Sequence, residues 1–212
     1  MDPDLKIAAF NNIPNQEYAL FGSVLEAHLE TLLHRLKGLC GQLPGNAEPF
    51  QDHYLIYSTK SPNIIPPVHV RAVRSIMSTF MPWRFQYYGS EISEASRMVT
   101  QRQIIDACCS VRLPKFLEDG LGFNMDYEYI LKGFTFAKGR VRISVGRMMK
   151  TAHEVNMQVE AAEALSGSYL VEVATVVFGG SATNEENPEK EILQVAELLK
   201  PIVDLKRLDV KR

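Results

Sequence analysis

The sequence predicts an α+β chain: a single, mainly antiparallel β-barrel of about eight strands flanked by two or three helices. Three observations point there. Strand-like runs from both ends of the chain are joined by short connections, which favours antiparallel pairing over βαβ units. Asp126–Lys150 reads as one long hairpin. Two leucine- and isoleucine-rich stripes at helical spacing provide covering helices. Long strands with no obvious edge protection argue for closure. No composition break marks a linker, so residues 1–212 are expected to form one domain, with 1–15 flexible.

The first helix is signalled by Ser23 and Glu26, spaced as a capping box. Leu25, Leu29, Leu32 and Leu36 follow on one face, and Gly38 and Gly41 mark its end. Near the other end Asn187 is a candidate N-cap and Pro188 suits the first helical position. Ile192, Val195, Leu199 and Ile202 form that helix's stripe, and Pro201 stops or kinks it. A short helix is expected at Pro114–Asp119, closed by Gly120 and Gly122. Strands are expected at Gln16–Gly22, His53–Ser58, Pro67–Ser75, Trp83–Tyr88 and Tyr169–Phe178. Trp83, Phe85 and Tyr87 share one face of their strand, with Arg84 and Gln86 on the other. Met98–Cys108 fits neither period well. Loops are expected at Leu43–Gln51, Ser58–Pro66, Thr151–Ser166 and Gly179–Pro188.

For the hairpin, a three-residue loop Ala137-Lys138-Gly139 would pair Phe136 with Arg140. Thr135 would then face Val141, Leu131 Val145, Tyr129 Arg147, Phe134 Arg142 and Asp126 Lys150.

The chain has 212 residues, 46% of them apolar and 23% charged, with a formal net charge of −2. That is a globular balance without the basic footprint of a nucleic-acid binder. The start, MDPDLKIAAF, is too acidic and its apolar run too short for a signal peptide. The most apolar run, Tyr169–Phe178, is interrupted by Glu172 and too short to cross a bilayer as a helix. No membrane association is expected. Three cysteines, two of them adjacent (Cys108 and Cys109), make no disulfide framework. A reducing compartment fits, with both side chains buried in the β layer.

No catalytic constellation emerges. His28 and His34 lie about 240° apart around a helix axis and cannot share a metal. Lys132–Arg140 contains glycines, but their spacing is not that of a phosphate loop. Asp126 and Glu128 share a strand face as a metal-binding pair would, yet read better as a solvated edge opposite Lys150. Glu172 either pairs with an arginine inside the barrel or faces water. Arg71, Arg74, Arg84, Arg140, Arg142 and Arg147 could make a basic interior, but read better as surface and cross-strand partners of the acids. No metal or other cofactor is expected.

Several segments resemble the mediator complex subunit 18 family in order along the chain. They are EYALFGSVLEAHLETLLHRLKGLC (Glu17–Cys40), PWRFQYYG (Pro82–Gly89), LGFNMDYEYILKG (Leu121–Gly133), LSGSYLVEV (Leu165–Val173) and LLKPIVDLKRLDVKR (Leu198–Arg212). The resemblance implies a non-enzymatic subunit of the head module of Mediator, a nuclear coactivator linking transcription regulators to RNA polymerase II. It implies a heterodimer with subunit 20, capture of the C-terminal helix of subunit 8, and contacts with other head subunits and the polymerase. It also implies a barrel resembling the triphosphate-tunnel fold. An alternative follows from that kinship: a metal-dependent phosphohydrolase acting on RNA 5′-triphosphate or polyphosphate. Those enzymes place E-x-E pairs on opposing strands. Here Glu17 is followed by Ala19, and Glu172 is flanked by Leu170 and Ala174, so neither pair is present. Sequence-specific DNA binding is disfavoured by the acidic pI of about 6.2. A small closed barrel is expected to fill its core with inward side chains, leaving outward aromatics to be covered by helices or a partner. Trp83 and Tyr88 project to opposite faces, as do Tyr127 and Phe134. All four are therefore candidate partner-binding residues.

Overall fold

The computed structural model describes residues 15–41, 47–59, 67–78, 80–92, 97–150, 163–179 and 187–208. The strands are β1 (Asn15–Leu25), β2 (Ala47–Thr59), β3 (His69–Ser75), β4 (Trp83–Glu91), β5 (Thr100–Cys109), β6 (Phe123–Lys138), β7 (Val141–Lys150), β8 (Glu163–Ala164) and β9 (Ser168–Val177). The helices are α1 (Glu26–Cys40), α2 (Leu113–Lys115) and α3 (Pro188–Leu199), with a π turn at Phe116–Gly120 continuing α2. Eight antiparallel strands in the order β6-β2-β3-β4-β5-β1-β9-β7 close through a β6–β7 pairing, and β8 adds to β7. The expected closed barrel with three helices is the fold observed.

The lumen and the outside exchange the roles expected of them. The apolar cores lie on the outer wall. Leu20 and Val24 of β1, Phe136, Val141, Ile143 and Val145 of the hairpin, and Val171 and Val173 of β9 pack with Leu32 and Leu36 of α1 and Ile192, Val195 and Leu199 of α3. A second core joins Leu55, Tyr57, Val70, Ala72 and Trp83 to Leu113 and Leu117. The side chains alternating with these point inward and are largely polar. Period-two alternation makes the separation; which half is wet is decided by where α1, α2 and α3 land.

Several local expectations need correction. The Asp126–Lys150 hairpin turns on two residues, with Gly139 at φ +60° in the first position, as a type II′ turn requires. Lys138 therefore faces Val141, Thr135 faces Ser144, and Phe134 faces Val145. The difference of three residues is odd, so it exchanges the faces. Phe136 and Ile143 meet in the core, while Tyr129 and Leu131 turn inward. Gly133 sits opposite Gly146, and a Cβ on it would lie 1.9 Å from the Val145 carbonyl oxygen. Gly133→Ala should therefore cost about 3 kcal/mol, the upper part of the overpacking range, measured by urea unfolding.

Ser23 is not a cap. It lies in β1, Leu25 occupies the N-cap position of α1 without a side-chain cap bond, and Leu25 itself is exposed. The Glu26 amide instead donates to the Gly167 carbonyl, and the Glu26 carboxylate accepts from Arg147 at 2.9 Å. Tertiary partners at the β9 end replace the local cap. Asn187 does cap α3, accepting from the Lys190 amide at 3.2 Å. The ambiguous stretch becomes β5, and residues 47–51, expected in a loop, begin β2. Cys108 is exposed rather than buried, because beyond Ile104 β5 pairs only with β4 among the described residues. The expectation of flexibility for 1–15 falls outside the described residues except at Asn15, which starts β1. Most of the other expected loops also lie outside them.

After α3 the chain returns to the barrel. Phe21 and Lys206 exchange backbone hydrogen bonds of 2.9 and 2.8 Å just where β1 has left β5. Arg207 binds Glu91, and the Leu208 amide donates to Thr100 Oγ1 at 3.0 Å. The closing segment thus fills the seam between β1 and the β4–β5 edge.

Candidate functional site

The lumen is built from alternate residues of successive strands. Asp52 and Tyr54 come from β2, Arg71 from β3, Arg84, Gln86 and Tyr88 from β4, Arg142 and Ser144 from β7, and Leu170 and Glu172 from β9. They line a cavity of about 100 Å³. Glu17 of β1 lies alongside, with 1% of its surface exposed.

Each carboxylate here has a guanidinium. Glu17 Oε2 accepts from Arg102 at 2.6 Å, and Glu172 Oε1 accepts from Arg142 at 3.0 Å. Arg84 stands 3.7 Å from both Asp52 and Asp106. Glu172 thus takes the arginine-paired state of its two expected alternatives. Arg71, Arg84 and Arg142 are lumen residues rather than surface ones, whereas Arg74, Arg140 and Arg147 stay on the outer wall. Burial raises the Glu17 carboxyl above its usual range, opposed by Arg102 and reinforced by the charge of Glu172. Burial likewise raises Asp52, against the pull of Arg84. Tyr88 is pushed up to about 12 by burial and by the Glu17 and Glu172 charges.

This arrangement is poor in metal-binding capacity. Glu17 and Glu172 sit on neighbouring strands β1 and β9, not on opposing walls. Ala19 and Ala174, at positions where second carboxylates would stand, face each other across the same pairing. Both glutamates already hold arginines, whose charge repels a cation. No three His, Cys, Asp or Glu side chains cluster for a metal among the described residues. Asp126 and Glu128 do not cooperate either. Asp126 accepts from Ser58 at 2.9 Å, and Glu128 meets His53 Nε2 at 2.8 Å. Ser58 and His53 lie on β2, which flanks β6, His69 of β3 stands 3.9 Å from Asp126, and Lys150 is out of register.

The four aromatic candidates occupy four different environments. Trp83 is 5% exposed, packed outward under α2 with Arg74 stacked 4.6 Å from its ring. Tyr88 faces the lumen between Arg71 and Arg102, at 4.6 and 4.0 Å from its ring centroid. Tyr127 is 59% exposed and stacks on Tyr129, and Phe134 is 39% exposed on the outer face of β6. The structure does not gather them into one patch. A feature the sequence reading missed is an apolar groove lined by Phe85, Cys109, Leu113, Phe116, Leu117 and Leu121. Phe116, Leu121 and neighbouring Val111 are more than half exposed there. The signal was present in the run Val111–Leu121, whose apolar residues exceed what a one-turn helix can bury.

Comparison with known proteins places this geometry. The family model described as "Med18 protein" matches residues 16–212. The protein named "Mediator of RNA polymerase II transcription subunit 18" of Drosophila melanogaster is 37% identical over 96% of this chain and 92% of its own length. Among solved structures, a chain of the Schizosaccharomyces pombe Mediator head module superposes with a TM-score of 0.71 at 18% identity, covering 91% of this chain and 98% of that one. The Mimivirus capping enzyme triphosphatase superposes with a TM-score of 0.53 at 8% identity, covering 89% and 91%. At such identities the two structures show a shared barrel, and a shared barrel carries no activity by itself. The sequence relationship goes further: its family is that of a transcription-complex subunit and not of a hydrolase, and the chain belongs to the Mediator subunit 18 family.

Proposed function

We propose that the chain works in the nucleus as an assembly scaffold of the Mediator head, helping to link transcription regulators to RNA polymerase II. Its expected partners are subunit 20, the C-terminal helix of subunit 8, other head subunits and the polymerase. The whole of 1–212 acts as one domain in this reading. The observation that carries it is the pairing of both lumen glutamates with arginines in a family of Mediator subunits, beside an outer wall that leaves apolar groups uncovered.

Of the four aromatic candidates, Tyr127 and Phe134, both on β6, are the accessible ones. As partner anchors, each should weaken assembly by about 2 kcal/mol when truncated to alanine. The unfolding midpoint of the lone chain should hardly move. Co-purification with subunits 8 and 20, beside thermal unfolding, reads both quantities. Unchanged assembly in both variants would remove these residues from the interface.

The hydrolase alternative predicts phosphate release, and the scaffold reading predicts none: purified chain with Mg²⁺ or Mn²⁺ and tripolyphosphate or 5′-triphosphate RNA should release no phosphate above buffer. Release that disappears on Glu172→Ala would restore the alternative.

A further inference from the structure

β1 changes neighbours along its length. From Asn15 to Ala19 it pairs with β5 on one side, and from Gln16 to Leu25 it pairs with β9 on the other. Beyond Ala19 the side that faced β5 has one backbone partner among the described residues, Lys206 of the closing segment. A strand edge left this way presents unpaired N–H and C=O groups, and an extended chain laid along it satisfies them. Phe21 and Lys206 do so antiparallel, each donating to the other's carbonyl, at 2.9 and 2.8 Å.

The edge is built to receive this strap. Gly22 has no side chain where the strap passes: a Cβ there would lie 2.8 Å from the Asp204 carbonyl oxygen and 2.9 Å from Val203 Cγ1. Glu91, whose side chain is 17% exposed, takes the Arg207 guanidinium, which also donates to the Arg97 carbonyl oxygen at 3.1 Å. Leu205 packs against the core shared with α1 and α3. The site therefore reads an extended backbone carrying leucine and arginine two residues apart. The hold is nonetheless shallow. Val203 is buried, but from Asp204 to Leu208 every residue is half-buried or exposed. An open cleft of about 520 Å³ remains beside the strap, with Ser23 and Leu170 on one side and Asp204 and Leu208 on the other. Segments held by a few exposed hydrogen bonds and little apolar burial open locally, well below the free energy of global unfolding.

We infer that the β1 edge from Leu20 to Leu25 is a strand-addition site whose resident occupant is the chain's own strap, Asp204–Leu208, and that the strap exchanges for the same segment supplied in trans. The site belongs to the barrel itself and needs no other Mediator subunit. Tethering gives the strap an effective concentration on the order of millimolar, so a free segment competes only where the tethered one is weakened.

The test combines hydrogen exchange and peptide binding on the full chain. Alternate amides of β1 point to its two neighbours, so the Phe21 N–H reports the strap and the Gly22 N–H reports β9. The Phe21 and Lys206 amides should exchange about tenfold faster than that of Gly22, by local opening. Lys206→Pro removes the amide that donates to Phe21 and leaves both apolar cores untouched. A labelled peptide DLKRLDVKR, the sequence of residues 204–212, should bind this variant about tenfold more tightly than wild type by fluorescence anisotropy, and should restore protection at Phe21. The same peptide carrying Arg207→Ala should bind severalfold more weakly, because Glu91 is left without its guanidinium. Should Lys206→Pro fail to fold, Arg207→Ala in the full chain weakens the strap while keeping the β1 edge intact, and takes its place. Exchange of Phe21 and Gly22 at one common rate would overturn the site, since the strap would then open only with the barrel. No binding, equal affinity for wild type and variant, or binding without protection at Phe21 would overturn it as well.

Discussion

Arg102→Met should destabilise the chain by about 3–5 kcal/mol at neutral pH, the cost of leaving a buried carboxylate without its partner. Methionine keeps most of the volume beside the Tyr88 and Phe21 rings, against which Arg102 packs at 4.0 and 5.8 Å. What is lost is the 2.6 Å contact to Glu17, whose other oxygen, Oε1, is buried with no hydrogen-bond partner. The loss should depend on pH with a definite sign. Burial already raises the native Glu17 carboxyl, and Arg102 is the largest influence holding it down. Removing Arg102 raises it further. A carboxyl raised in the native state binds its proton more tightly folded than unfolded, so its protonation favours folding. Its contribution is fully present below the unfolded value and disappears as pH rises through the native one. Urea unfolding should therefore show the Arg102→Met deficit shrinking steadily on acidification from neutral pH towards the ordinary carboxylate range. A pH-independent deficit would mean that Arg102 acts through packing alone.

Phe136→Ala should cost about 3–5 kcal/mol, while Phe134→Ala two residues earlier should cost well under 1 kcal/mol. Both are phenylalanines on β6, and the strand period puts both on its outer face. They differ in what covers them. Phe136 is 1% exposed within the cluster that joins Ile143 and Val145 to Leu32 and Leu36 of α1 and to α3, whereas Phe134 is 39% exposed. Truncating Phe136 opens a cavity where the β6–β7 closure meets the helical cover. Because the closure ties β2, through β6, to β9, through β7, the loss should appear as a shift of one cooperative transition with an unchanged m-value. Equal effects of the two substitutions would show that the cover over β6 differs from the packing described.

The barrel and its helices were legible because period-two and period-3.6 patterns survive any choice of inside and outside. The stripes of α1 and α3, the Asn187 cap and the face shared by Trp83, Phe85 and Tyr87 depend only on local spacing. The hairpin register was not legible. Gly139 suits the left-handed position of a three-residue loop or the first position of a two-residue turn, and the choice is made by pairing Phe136 with Ile143 under α1. The polarity of the lumen was hidden for a related reason. Glu17, Arg102, Arg142 and Glu172 are far apart in sequence, and only the neighbouring of β5, β1, β9 and β7 turns them into two ion pairs. Partner surfaces are least legible of all: Trp83 and Tyr127 are both aromatic strand residues, and α2 covers one and leaves the other open.

The most direct measurement is reconstitution: the purified chain mixed at micromolar concentration with Mediator subunits 8 and 20, followed by size-exclusion chromatography with light scattering. A stable complex of defined mass containing all three chains is expected, and it should survive dilution as an interface of standard size does. A chain that elutes as a free monomer beside both partners would contradict the assignment of this barrel to the Mediator head.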